Sequence, residues 1–157
     1  MMQSRISMGS AAFQSVYRAM RALSATVHSS GLEHSLLLLV KMRVSQINGC
    51  GYCLDMHSKD ARAEGETEQR LYLLQVWREA SQLYSERERA ALAWAEAVTK
   101  LEDGHVHDGV YAQASAQFNE SELAALTLAI VEINGWNRIS ISFNAVPGTY
   151  HVGQHAA

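Results

Sequence analysis

Cys50 and Cys53 are the only two cysteines in a 157-residue chain, and His57 follows four residues after the second. On a helix, positions i, i+3 and i+7 lie on one stripe, so two thiols and an imidazole would face the same way. Asn48-Gly49 stands directly before the pair and reads as a helix break, placing both sulfurs in the first turn of a new helix. The unpaired backbone N–H groups and the helix dipole favour an anion there. A free cysteine titrates near ~8.5, and helix N-termini and C-x-x-C contexts lower that value towards a nucleophilic thiolate. His57, one turn beyond Cys53, is placed to take the thiol proton directly or through a water. These residue types supply a nucleophile, a resolving thiol and a base.

Other chemistries compete for the same residues. C-x-x-C is half of many structural zinc sites, with His57 as a third ligand, but no second cysteine or histidine pair stands at finger spacing. A purely structural reading makes the cysteines two small buried thiols on a packing face. A thioredoxin-type setting requires a strand before the motif, and none is signalled. The redox dithiol is favoured, with zinc and packing left as the alternatives.

Helices must position these groups, because β-branched residues seldom alternate with polar ones and helical periodicity runs through most of the chain. A first helix is expected over residues 11–27, stopping near Ser29-Ser30-Gly31. A second, over 33–47, is apolar on most sides and reads as central and buried. The third starts at the cysteines and ends near Gly65. Thr67 opens a short helix to residue 74, and Ser85-Glu86-Arg87-Glu88 is a full capping box opening a helix to residue 100. Residues 107–115 and 120–134 complete the set, and the tail after Pro147 reads as disordered or pinned by a partner subunit. An echo links Val44–Cys50 with Ile130–Trp136: each is an apolar helix end meeting Asn-Gly, which hints at two related helical halves.

The length fits one domain over 1–157, with its core at about 11–146 and a tail at 147–157. Hydrophobic residues make up 48% and charged ones 18%, a globular balance, and the net charge of -3 calls for neither nucleic acid nor an anionic membrane. No acidic residue precedes Glu33 while Arg5, Arg18 and Arg21 do, yet Phe13, Val16, Tyr17, Met20 and Leu23 recur at helical spacing. The start therefore reads as a packed helix rather than a removable targeting segment. No apolar run approaches a membrane span, and the cysteine usage suits a reducing cytoplasm in which the pair cycles.

Residues 42–57, Met-Arg-Val-Ser-Gln-Ile-Asn-Gly-Cys-Gly-Tyr-Cys-Leu-Asp-Met-His, resemble the core of the alkylhydroperoxidase D and carboxymuconolactone decarboxylase superfamily. The flanks fit as well: residues 61–67, Trp77-Arg78-Glu79, residues 85–92 and residues 133–138. The resemblance implies an all-α, AhpD-like domain that assembles as a dimer, trimer or hexamer. It implies that Cys53 attacks a hydroperoxide, Cys50 resolves the sulfenic acid as a disulfide, His57 accepts the proton, and a dithiol protein, lipoyl-type among them, restores the thiols. No cofactor or metal is implied.

The chain departs from that pattern at the glutamate twelve positions before the first cysteine, which here is Leu38, and at the histidine before the second, which here is Tyr52. His34, one turn before Leu38, Tyr52 and Glu132 of the second echo are the candidates to complete the proton relay; Glu33 points elsewhere. Trp77, Trp94 and Trp136 read as core or interface anchors, and with the apolar second helix they hint at surface for an oligomer. His105 and His107 read as a solvated loop rather than a metal cluster, and His151 and His155 as unpartnered tail residues. The expected activity is that of a cytoplasmic, antioxidant thiol peroxidase. The alternative is a weakly active redox-sensing or binding member, with lactone decarboxylase a distant third because that branch does not rely on C-x-x-C.

Overall fold

The structure, a computed structural model, describes residues 3–154. Its regular structure among those residues is entirely helical. The helices are α1 (Gln14–His28), α2 (His34–Asn48), α3 (Gly51–Ala63), α4 (Glu68–Leu73), α5 (Glu86–Lys100), α6 (Asp108–Ser115) and α7 (Glu120–Ser142), joined by short 3-10 turns. No helix of the described residues is long and apolar enough to cross a membrane.

The apolar character of α2 on all sides follows from its place at the centre. Leu36, Leu37, Val40 and Val44 pack with Ala90, Ala91 and Ala95 of α5 and with Leu126, Ala129, Ile130 and Ile133 of α7. Leu38, Leu39 and Met42 pack instead with Ala61 of α3, Leu71 of α4 and Leu74 and Trp77 beyond it. A helix with partners on every side gains by carrying apolar residues on every side. Trp77 and Trp94 sit inside this same core. The apolar surface that hinted at an oligomer is therefore largely consumed within the chain itself.

Two capping boxes fix the long helices: Ser85 with Glu88 opens α5 as expected, and Asn119 with Glu122 opens α7. Buried Glu96 of α5 accepts from Arg43 of α2 and from Trp77 Nε1 and Arg78. Burial pushes its acid up, but the hydrogen bonds from Arg78, Trp77 and Arg43 together hold it below the ordinary carboxylate value.

α7 does not stop at Asn134 as expected; it continues eight residues further, to Ser142. Its Asn-Gly does not act as a break because both residues are employed inside the helix. Asn134 Nδ2 donates to Thr99 and to its own helix at Ile130 O, and Asn134 Oδ1 accepts from Asn48. Gly135 faces α1, where a Cβ would stand 3.0 Å from Met20 Cε, so its lack of a side chain allows the two helices to approach. The two members of the echo thus meet: Asn48 Nδ2 donates to Asn134 Oδ1 and Asn137 Oδ1, each at 2.9 Å.

The tail also departs from expectation, since residues 147–154 fold back on the chain's own α3. Gly148 N donates to Asp55, Lys59 donates to Tyr150 O, and the Tyr150 hydroxyl donates to Asp60 at 2.6 Å. Tyr150 is buried by these contacts, which is why this segment needs no partner subunit to order it. His155 lies outside the described residues.

Asn137 is fully buried, accepting from Asn48 and donating to Ser45 Oγ at 3.1 Å. Asn137→Ala should lower unfolding stability by about 2–3 kcal/mol, from unsatisfied partners and a small void. A urea midpoint unchanged from wild type would contradict this.

Candidate active site

The joint between α2 and α3 seats the cysteines. Gly49 ends α2 at φ 70°, a left-handed conformation suited to glycine, and Cys50 N–H turns back to Ser45 O at 3.0 Å. Cys50 becomes the N-cap of α3, its sulfur accepting from Cys53 N–H at 3.3 Å. The two sulfurs are joined as a disulfide, and each cysteine is only 1% exposed. The spacing expected to put both sulfurs at a helix start does so.

A cavity of about 560 Å³ opens between α1, α2, α3, α7 and the folded-back tail. Cys53 and His57 line it, whereas Cys50 is not among its lining residues. The two cysteines are therefore inequivalent: Cys53 borders the cavity and Cys50 does not. Much of the wall is apolar, from Leu37, Leu38, Met56 and Trp136.

His57 is buried, and neither ring nitrogen has a hydrogen-bond partner among the described residues. Burial foremost, then the positive charges of Lys41 and His34, lowers its pKa to about 3. The ring is thus neutral at neutral pH, presenting one donor and one acceptor to whatever enters the cavity. Such a ring can receive a proton in passing but holds it poorly.

The remaining relay candidates fall in different places. His34, the first residue of α2, lines the cavity, meets His28 edge to face and bonds Glu64 at 2.6 Å rather than His57 or Cys53. Tyr52 is half-buried in the wall, and burial foremost raises its phenol pKa. Glu33 binds Arg87, away from the site. Glu132 does reach the cavity: it is 2% exposed, accepts from Ser24 Oγ at 2.5 Å and pairs with Lys41 Nζ at 3.1 Å. Leu38 is in the wall, with no carboxylate where an acid was expected.

Lys41 escaped the sequence reading. It is the one charge inside the apolar stretch 36–42, and that isolation was the available signal. Trp136, read as an anchor, also lines the cavity and donates its Nε1–H to Ser24. His105 and His107 are exposed and meet edge to face. No cluster of three or more His, Cys, Asp or Glu among the described residues is arranged to hold a metal ion.

The buried imidazole makes stability depend on pH. The unfolded ring takes a proton near 6.5 and the folded one only near 3, so between these values the unfolded state binds more protons. Stability then falls as pH drops through that window, by at most about 1.4 kcal/mol per pH unit from this residue. His57→Leu should lose less stability than wild type between pH 6.5 and 4 in urea titrations. Parallel losses in the two proteins would refute the assignment.

Known proteins align with this architecture. The model of the carboxymuconolactone decarboxylase family matches residues 14–97, which include both cysteines and His57. The chain is 44% identical over 113 residues to the uncharacterised protein YdfG of Bacillus subtilis, covering 72% of this chain and 76% of that one. It is 30% identical over 116 residues to the uncharacterised protein YnjA of Escherichia coli, covering 74% of this chain and 60% of that one. Among solved structures, it superposes with a TM-score of 0.88 and 41% identity on ATU0492 of Agrobacterium tumefaciens, a protein of unknown function suggested to be the antioxidant defence protein AhpD. That match covers 94% of this chain and all of the other. By its family match and these identities, the chain belongs to the carboxymuconolactone decarboxylase family.

Proposed function

We propose that the protein is a thiol-dependent peroxidase that reduces organic hydroperoxides through the Cys50–Cys53 dithiol. The observation that carries this reading is a C-x-x-C pair closed as a disulfide at a helix start, with one sulfur facing a largely apolar cavity beside a bare, buried imidazole. Cys53 is the attacking sulfur because it is the one on the cavity wall. Cys50, whose sulfur already touches the Cys53 backbone, resolves the sulfenic acid, releasing water as the disulfide forms. His57 hydrogen-bonds the hydroperoxide and relays protons.

Both cysteines are nearly sealed, so the reductant must present a dithiol on a slender arm that enters the cavity. A lipoyl-type dithiol protein fits that requirement. The suggested antioxidant role of ATU0492 agrees with the reading. A homo-oligomer in the cytoplasm belongs to the same proposal; size-exclusion chromatography with light scattering reads its assembly.

Consumption of cumene hydroperoxide with a dithiol donor tests the activity. Cys53→Ser should lower turnover at least 100-fold, while equal rates in the two proteins would sink the peroxidase reading. Leu38→Glu separates an active enzyme from a weakly active sensor. Turnover within a few-fold of wild type is expected, because the site does not wait on an acid at that position. A gain of 10-fold or more would favour the sensor reading, with a relay that lapsed at Leu38.

A further inference from the structure

With leucine at position 38, the charge of the cavity comes from elsewhere, and most of its acids are already engaged. Asp60 accepts from Tyr150 and Glu64 is bonded to His34. Glu132 is set apart by what it holds. Its Oε1 accepts from the Ser24 hydroxyl, whose oxygen accepts from Trp136 Nε1 at 3.0 Å, and its Oε2 pairs with Lys41. Ser24 of α1 and Trp136 of α7 thus hold the carboxylate that pairs with the Lys41 ammonium of α2, and all four residues line the cavity that Cys53 and His57 also line.

Lys41 is only 17% exposed, although it stands on the central helix, where residues 36–40 and 42 around it are all apolar. Drawing a lysine head group inwards costs hydration and rotamer entropy, which a paired acid offsets only in part. Its field reaches His57, where after burial it is the largest influence opposing imidazolium. A charge that opposes a cation at that spot favours an anion there. In a reduced site, the anion available is the Cys53 thiolate.

We propose that Lys41, paired with a Glu132 that Ser24 and Trp136 hold in place, is a further catalytic residue: its ammonium stabilises the Cys53 thiolate and protonates the leaving oxygen. The thiolate attacks the terminal peroxide oxygen, forming an S–O bond as the O–O bond breaks. The O–O electron pair goes to the alkoxide, which takes a proton from Lys41 and leaves as the alcohol. Sulfur is oxidised by two electrons to sulfenic acid, the hydroperoxide is reduced to alcohol and water, the water coming when Cys50 closes the disulfide, and Lys41 regains its proton from solvent. Glu132, Ser24 and Trp136 are positioning residues. The protonation step rests on the peroxidase reading, whereas the thiolate stabilisation does not.

The test follows the thiolate of Cys53 by its ultraviolet absorbance as pH is raised, in the reduced full chain carrying Cys50→Ser so that one thiol titrates. The other titratable groups on the cavity walls are Tyr17, Arg21 and His28 of α1, His34 of α2, Tyr52, His57 and Asp60 of α3, Glu64 just after it, Glu132 of α7 and Tyr150 of the tail. All are common to the single variants compared, so a difference between curves reports Lys41. Lys41→Met should raise the Cys53 midpoint by about one pH unit or more. Lys41→Arg should restore most of the shift. Because Lys41→Met leaves Glu132 buried and unpaired, Lys41→Met with Glu132→Gln provides a neutral pair that keeps the packing, and a rise in the same direction, smaller because the Glu132 charge is also gone, is expected there. Coincident curves for wild type and the double variant, each with a native helical spectrum, would overturn the proposal. Raised midpoints without hydroperoxide consumption would leave Lys41 in place and remove the peroxidase reading; turnover with coincident curves would do the reverse.

Discussion

The amide of Asn48 joins what the site needs. It is the last residue of α2, and its two hydrogen bonds reach Asn134 and Asn137 on successive turns of α7. Gly49 follows with the left-handed turn that sends the chain into α3 and makes Cys50 its cap. Anchoring the last side chain of α2 to α7 therefore anchors the start of α3. Asn137 extends the link to Ser45, whose carbonyl receives Cys50 N–H. A polar network in a low-dielectric interior specifies one geometry when its members are satisfied, because any slip leaves unpaired groups. Here the geometry specified is the approach of two sulfurs.

The same anchoring gives the dithiol an outside and an inside. Cys50 sits in the joint, against backbone, while Cys53 reaches the cavity one turn into α3. Along α3, the folded-back tail occupies Asp55, Lys59 and Asp60. These contacts place Tyr150 on the border of the cavity. Charge follows from burial. A carboxylate among Leu37, Leu38 and Met56 would need a cation to stay ionised, and the acid the chain does keep, Glu132, has Lys41. The imidazole beside them, lacking any anionic partner, stays neutral.

Much of this was legible because it is local. The C-x-x-C-x-x-x-H stripe, the Asn48-Gly49 break and the Ser85 capping box are patterns within a turn or two of helix, and their geometry follows from backbone rules. The all-helical fold was legible for the same reason. Asn134-Gly135 shows where local rules fail. The dipeptide that breaks α2 runs through α7, because Asn134 caps its own helix internally and Gly135 serves a neighbouring helix. The tail, too, was misread, since its order depends on Asp55 and Asp60, about ninety residues earlier. His34 had the right helical offset to replace the acid at position 38 and bonds Glu64 instead, across thirty residues. Lys41 is the instructive intermediate case. A lone charge in an apolar stretch is visible in one dimension, but its meaning needs Glu132 from the other end of the chain, and only the packing of α2 on α7 brings the two within 3.1 Å. Sequence shows which residue is out of place, and the tertiary partner shows what holds it there.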